Sequence, residues 1–489
     1  MHGHFYQPPR ENPWLGQIEK QPSAHPFHNW NERIAADCYG PNARARIVDR
    51  QGQLLTTRNN YEDISFDFGP TLLAWMEHAV PDAYAAVLAA DRKTRGAIAL
   101  AYNHMILPLA NARDQVTQVL WGKRDFEFRF GRSPEGMWLP ETAVDLASLA
   151  ALAAAGIQFT ILAPRQALRV RSFGSRTWQD VEGGRIDPHF PYLVRVPSGR
   201  AISVFFYDGG VSQGIAFDGL LRDGAQLAHR LASAFDMRHC HPQLASAATD
   251  GESYGHHHRF GEMALAAALR ELRTRSDVVL TNYGAFLASH PPLREVEIVP
   301  NSSWSCAHGL ERWRADCGCN SGGCPQWRQS WRAPLRRALD WLRDQLAPAY
   351  EQAAAPYLWN PWAARNDFID VRLDPSDTTK AAFLARHARY VLPDPVRDLV
   401  WNLLQMQTCA MLMYTSCGWF FDDISGLETM QILAYAARAV ELARAGLGRD
   451  LEPGLLQLLE AAPSNLPEFG SGREVYLAQL QRREISVAG

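Results

Sequence analysis

Up to residue 299 the chain alternates extended and helical apolar patterns, and this alternation constrains the fold more than any other feature. Extended runs recur at 96–102, 126–130, 156–162, 202–206, 244–248, 278–281 and 296–299. Helical patterns stand at 71–90, 144–155, 224–235 and 262–273; in the first of these Leu72, Trp75, Met76, Ala79 and Tyr84 share one face. Strands alternating with helices imply a parallel sheet. His104, Glu141, Asp208, Asp250, Tyr283 and Trp304 each follow an extended run. A barrel builds its site from residues just past its strand ends, so this repetition favours a closed or nearly closed β/α barrel over an open sheet.

From residue 326 the pattern turns helical, at 327–346, 376–390, 394–414 and 427–445, punctuated by Pro348, Pro356, Pro361, Pro393 and Pro395. Two domains are expected, 1–325 and 326–489. The chain has 489 residues, 21% of them charged, and a formal net charge of −3. No basic tract appears, which excludes nucleic acid and anionic membranes as main partners. No run reaches the ~18 apolar residues of a membrane helix. The first residues lack a charged segment followed by an apolar core, and the 8 cysteines are few for this length. A cytoplasmic, reduced protein is the expectation.

Two acidic segments carry the chemistry. Glu135-Gly-Met-Trp-Leu-Pro-Glu141 ends in a carboxylate beside a stiffening proline. Thr249-Asp-Gly-Glu-Ser-Tyr-Gly-His-His-His258 places Asp250 after another strand-like run. Two acids delivered by different strand ends suit cleavage of a glycosidic bond, one attacking or stabilising the sugar and one protonating the leaving oxygen. Each has a structural alternative. Glu141 fits the N-terminus of a helix opened by Pro140, and Asp250 fits a turn before Gly251. Glu252 is the competing acid, read as orienting Asp250 or a sugar hydroxyl. The 15 Trp serve core packing or line a sugar cleft, since pyranose faces stack on flat rings.

Five segments in order strengthen this reading: His2-Gly-His-Phe-Tyr-Gln-Pro-Pro9, Tyr102-Asn-His-Met-Ile-Leu-Pro108, Trp138-Leu-Pro-Glu141, Asp250-Gly-Glu-Ser-Tyr-Gly-His256 and Pro300-Asn-Ser-Ser-Trp-Ser-Cys306. Together they resemble the motifs of glycoside hydrolase family 57, in the branch with a DUF3536-type helical C-terminal extension. The resemblance implies an incomplete (β/α)7-type barrel followed by an all-helical C-terminal domain packed on the catalytic rim. It implies a glycoside hydrolase or glucanotransferase acting on α-glucans by a retaining double displacement, with Glu141 as nucleophile and Asp250 as acid/base. His2, His4, Gln7, His104, Trp138, Asp208, Glu252, His256, Trp304 and Trp419 are the expected substrate-binding residues, and an oligo- or polysaccharide is the partner. The chain begins within the first motif, so the strand there is expected to be short or absent, with either the barrel open there or further residues preceding this sequence.

A negative Glu141 nearby is expected to raise the pKa of Asp250. The histidines are expected to act as neutral hydrogen-bond donors. A rival reading gives His2, His4, Asp250 and His256 to a catalytic metal, as in deacetylase-like or mannosidase-like barrels. Another makes the chain a catalytically silent glucan-binding protein. No cofactor is required by the main reading. Cys306, His308, Cys317, Cys319 and Cys324 are a possible structural zinc set, but their spacing lacks repeated CxxC pairs, and packed, reduced thiols are favoured. In the helical part, Trp359-Asn-Pro-Trp362, Arg365-Asn-Asp367 and Cys417-Gly-Trp-Phe-Phe-Asp-Asp423 place aromatics beside acids, either completing a cleft or buried in a core.

Overall fold

Short runs that are almost wholly buried, polar residues included, become the central parallel strands, as expected of strands covered on both sides. The computed structural model describes residues 1–49, 51–236 and 241–488, with side chains described to residue 480. The parallel strands are β1 (His2–Phe5), β2 (Ser65–Phe68), β3 (Ala99–Leu100), β4 (Met137–Trp138), β5 (Phe159–Leu162), β6 (Ala201–Phe206) and β7 (Ala248–Asp250). β1 lies between β7 and β2, pairing His4 with Asp250 on one side and with Asp67 on the other. β3 pairs with β4, and β5 with β6. Single parallel bridges, Phe66 to Ala97 and Gly136 to Phe159, continue the pairing from β2 towards β3 and from β4 towards β5. The strands thus stand side by side in chain order, with β7 returned beside β1. The Asp208 amide, just past β6, donates to the Ser246 carbonyl ahead of β7 at 2.7 Å. The opening motif is itself a strand of 4 residues paired on both sides, so the strand there is short and not absent.

This is a mixed α/β unit made of Met1–Gln7, Lys20–Ala101 and Phe126–Trp304. β5 and β6 also belong to a mixed sheet with Tyr192–Arg195, Arg294–Ile298, Ala167–Ser172 and Gln179–Asp180. The helical pattern at 71–90 resolves into two helices, Pro70–Ala79 and Pro81–Thr94, because Pro81 starts a new helix at its first turn, where its missing N–H costs nothing. Asp145 caps Leu146–Ala154 by accepting from the Ser148 amide.

Two expected strands are absent. Residues 126–130 form the end of helix Ala112–Phe130. A strand would put Phe126, Phe128 and Phe130 on one face. Here Phe126 and Phe130 stack four residues apart at 4.5 Å, while Phe128 faces solvent. Residues 278–281 adopt no regular structure. Val279 is almost fully exposed, so β propensity finds no partner and no burial.

The second unit comprises Pro8–Glu19, Tyr102–Asp125 and Ser305–Gly489. The change of unit falls at Trp304/Ser305, with two earlier stretches joining the second unit, where composition suggested one division at 325/326. Its helices include Arg332–Ala354, Pro361–Leu373, Asp377–His387, Asp394–Leu412 and Leu427–Leu447. The first runs through Pro348 because Leu339, Leu342, Leu346, Ala349 and Tyr350 bury one continuous stripe. That burial outweighs the ~3 kcal/mol cost of an interior proline. Among the described residues, no helix is long and apolar enough to cross a membrane.

Candidate active site

The parallel register of β1 and β2 sets side chains of alternate residues together. His2 lies opposite Ser65 and His4 opposite Asp67. Asp67 is fully buried and holds both imidazoles, at 2.9 Å to His2 Nε2 and 2.8 Å to His4 Nδ1. Burial pushes the His2 pKa down. Burial also opposes a charge on His4, but the charge and hydrogen bond of Asp67 outweigh it. With help from Asp250 and Glu252 they lift the His4 pKa to about 9. Burial would raise Asp67, yet His4 and both hydrogen bonds hold it below its usual range. His4 is therefore an imidazolium at neutral pH, not the neutral donor expected from the sequence.

Both imidazoles stack on Trp138, with centroids at 4.8 Å and 5.2 Å. Trp138 is fully buried, so its ring underlies the histidines and offers no open face to a sugar. Trp304, half-buried, meets Trp138 edge-on at 5.0 Å and His4 at 6.2 Å. Its indole N–H donates to Glu141 Oε2 at 3.0 Å, and its amide to the Glu141 carbonyl at 3.0 Å.

Glu141 does not begin a helix, since Asp145 does the capping. It occupies a tight turn after β4 with φ 57° and ψ 21°, and Thr142 follows at φ 49°. Left-handed backbone is costly for residues other than glycine, by ~1–3 kcal/mol each, and worst for a β-branched residue such as Thr142. The surroundings impose it. Buried Gln166 donates through Nε2 to the Thr142 carbonyl (2.8 Å) and to Ser302 Oγ (3.1 Å), while its Oε1 accepts from the Ala163 amide. The Val144 amide donates to the Ser302 carbonyl and the Asn301 amide to the Val144 carbonyl. The carboxylate of Glu141 is thus held by a rigid, strained turn.

Asp250 ends β7, beside His4. Gly251 follows because any Cβ there would lie 2.2 Å from the Phe5 ring. Burial raises the Asp250 pKa, with Asp67 adding and His4 opposing. The direction matches expectation. The side chain nonetheless keeps exposed surface, so it is walled by protein and open on one side. Glu252 is buried. Its Oε1 accepts from the Tyr39 hydroxyl at 2.6 Å and the Tyr6 amide at 3.1 Å. Burial, then the charge of Asp250, raises its pKa to about 7 against those hydrogen bonds.

The remaining expected residues make the following contacts. Asp208 caps helix Gly209–Ala216 through the Val211 amide. His256 pairs with Asp37 at 2.9 Å and meets Trp30 edge-on. Gln7 donates to the Tyr6 carbonyl. His104 belongs to the second unit, where its Nδ1 lies 2.6 Å from Ser416 Oγ. Trp419, in that unit, is fully buried and stacks on Tyr414 under Arg336. Asn360 caps Pro361–Leu373, Arg365 pairs with Asp114, and Asp367 with His387. Asp422 accepts from Ser321, and Asp423 from Ser425, Ser464 and Asn465. These acids hold loops and helices of the second unit.

Asp67, Tyr39 and Gln166 escaped sequence reasoning. Ser65-Phe-Asp-Phe68 carries the alternation of a strand with one polar face, and that signal would have found Asp67. Gln166 gave none. His2, His4, Asp250 and His256 do not gather as a metal site, since Asp67 takes the first two and Asp37 the last. Among the described residues, the side chains spaced to hold a metal are Cys306, His308, Cys317 and Cys319, in the second unit; Cys324 is not one of them.

Residues 96–298 match the model of glycosyl hydrolase family 57, and residues 327–488 match a domain of unknown function, DUF3536. No curated protein sequence matches the chain. Solved structures share the fold. An exo-type maltose-forming amylase from Pyrococcus sp. ST04 superposes with a TM-score of 0.70 at 15% identity, covering 94% of this chain and 82% of the amylase. A branching enzyme of the family 57 type from Pyrococcus horikoshii gives 0.56 at 16%, covering 94% of each chain. A 4-alpha-glucanotransferase from Thermococcus litoralis gives 0.54 at 15%, covering 91% of this chain and 59% of the transferase.

Proposed function

We infer that this chain, a glycosyl hydrolase family 57 enzyme by its residues 96–298, cleaves or transfers α-glucan chains through a retaining double displacement. The ladder from β7 through β1 to β6 is read as an incomplete (β/α)7 barrel and the first unit as its catalytic body. Residues 326–489 are read as the helical DUF3536 part. Three solved relatives, named as a maltose-forming amylase, a glucanotransferase and a branching enzyme, support the α-glucan assignment.

The observation that carries the reading is the contrast between two carboxyls. Glu141 stands on a strained turn and is fixed by the Trp304 N–H. Asp250 is open to solvent and more easily protonated than an ordinary aspartate. In the proposed step, Glu141 attacks the anomeric carbon while Asp250 gives its proton to the leaving glycosidic oxygen. Asp250 then accepts a proton from the water or sugar hydroxyl that releases the glycosyl-enzyme. Glu252, buried and held by Tyr39, positions the loop that carries Asp250. The imidazolium of His4, balanced by Asp67, tunes the field at Asp250. Trp304 is the aromatic residue left partly open for a sugar.

Incubation with maltooligosaccharides, amylose and glycogen, with product lengths and linkages read out, tests the function. Shortening marks a hydrolase, disproportionation a transferase, and new 1,6 bonds a branching enzyme. Glu141→Gln and Asp250→Asn are each expected to lower turnover by a factor of at least ~10² with the fold retained. Near-wild-type turnover in either variant, or no glucan processed by the wild type, overturns the assignment.

A further inference from the structure

We infer that Cys306, His308, Cys317 and Cys319 bind a structural zinc ion in the second unit. Their ligand atoms all lie within 4.8 Å of one another. Cys306 Sγ is 4.0 Å from Cys317 Sγ and 3.8 Å from Cys319 Sγ, and Cys319 Sγ is 3.7 Å from His308 Nδ1. A tetrahedral zinc with Zn–S of ~2.3 Å and Zn–N of ~2.0 Å requires S···S edges of about 3.8 Å and S···N edges of about 3.5 Å. Three of the six edges stand close to those lengths, and no two of the four ligand atoms are more than 4.8 Å apart. They are too far apart for a disulfide, whose sulfurs lie ~2.0 Å apart.

The irregular spacing has a local explanation. One residue separates the members of each pair, Cys306-Ala-His308 and Cys317-Gly-Cys319. Gly318 takes φ +81°, a conformation open to glycine, and the turn brings both sulfurs onto one centre.

Charge supplies an independent argument. Arg332 is fully buried and Arg312 nearly so. Arg332 donates to the carbonyls of Cys319, Phe420 and Phe421. Arg312 donates to those of Ser305 and Phe420. Among the described residues neither guanidinium forms an ion pair with a carboxylate. Asp422 acts on Arg332 from a distance, so one acid stands against two buried cations, and buried cations short of counter-charge are costly. Zinc bound by three thiolates and a neutral imidazole carries one net negative charge and supplies it. Binding releases the three thiol protons to solvent.

The segment also needs a cross-link. Between Trp304 and helix Arg332–Ala354 the one regular element is the short turn Glu311–Trp313. A metal joining 306 and 308 to 317 and 319 fixes that turn and the buried indole of Trp313.

The test uses the full chain, purified with reductant and without chelator. Elemental analysis is expected to find about one zinc per chain, and X-ray absorption about three sulfurs at ~2.3 Å and one nitrogen at ~2.0 Å. Cys317→Ser and Cys319→Ser are expected to lose most of the zinc, and Cys324→Ser to keep it. Stripping the metal should speed proteolysis within 305–331. If the serine variants fail to fold, the absorption spectrum of the wild type decides. Metal-free protein with these thiols freely titratable, iron in place of zinc, or loss of zinc on Cys324→Ser would overturn the proposal.

Discussion

Replacing Asp67 with Asn removes the counter-charge of His4 while keeping the shape of the site. His4 is raised from 6.5 to about 9 and is nearly inaccessible to solvent, with 5% of its side chain exposed. A shift of that size corresponds to about 3 kcal/mol between the two protonation states. Because the folded-state pKa is raised, this stabilisation is complete below about pH 6.5 and is lost as pH rises through about 9. His4 should therefore contribute a loss of about 3 kcal/mol between about pH 6 and pH 9.5, a urea midpoint shift of about 1 M. Glu252, raised to about 7, adds to the loss below about pH 7, and the Met1 ammonium, lowered from 8.0 to about 6, opposes it between those values; both are shared with Asp67→Asn, so the difference between the two proteins isolates His4. In Asp67→Asn burial pulls His4 down, and the loss across the window should largely vanish. Urea unfolding at both pH values measures this. Trp138 stacks on His4, so its fluorescence reports the right unit, with Trp138→Phe as the subtraction. An equal loss in wild type and Asp67→Asn would refute the reasoning.

Trp304→Phe keeps a ring but removes the N–H that fixes Glu141, and should lower turnover about 10- to 100-fold with little change in melting temperature, measured side by side. Thr142→Gly relieves left-handed strain at a β-branched residue and should raise stability by about 1 kcal/mol; a lower midpoint would show that the turn is not strained. Glu252→Gln removes the group that is protonated near about pH 7. A raised pKa makes folding less favourable as pH climbs from 4.5 to 7, so the variant should flatten the stability slope in that window. Asp114→Asn leaves the buried Arg365 guanidinium without its carboxylate and should cost about 3–5 kcal/mol in the second unit, read by thermal unfolding.

Strand-helix alternation made the α/β character legible, and the proline-punctuated periodicity did the same for the late helices. The failures have physical causes. The phenylalanines at 126, 128 and 130 read as a strand by spacing, and only the neighbours of Phe126 and Phe130 decide that they end a helix. Val279 lies in a run with strand propensity but no burial. Glu141 and Asp250 were visible because their types and flanks are unusual. What holds them was not. Asp67 acts through a register between distant strands, and Gln166 through carbonyls that any side-chain amide could meet. The closeness of the four ligand side chains was not legible in the cysteine spacing, because the left-handed turn at Gly318 is a property of backbone geometry.

The second unit is drawn from three separated stretches, and this affects how the protein is made and cut. Arg365 finds Asp114, and Trp121 donates to the Asn366 carbonyl at 2.9 Å. Gln431 donates to the Glu11 carbonyl at 2.8 Å. A ribosome releases residues 8–19 and 102–125 long before the helices that cover them. Those two stretches must wait, with their apolar faces open, until the last third of the chain emerges. An excised segment beginning at residue 327 leaves Arg365 buried without its acid, so such a fragment should come out of cells aggregated, and co-expression of 8–125 should not simply restore it. The late helices are a closing half whose other half is made first.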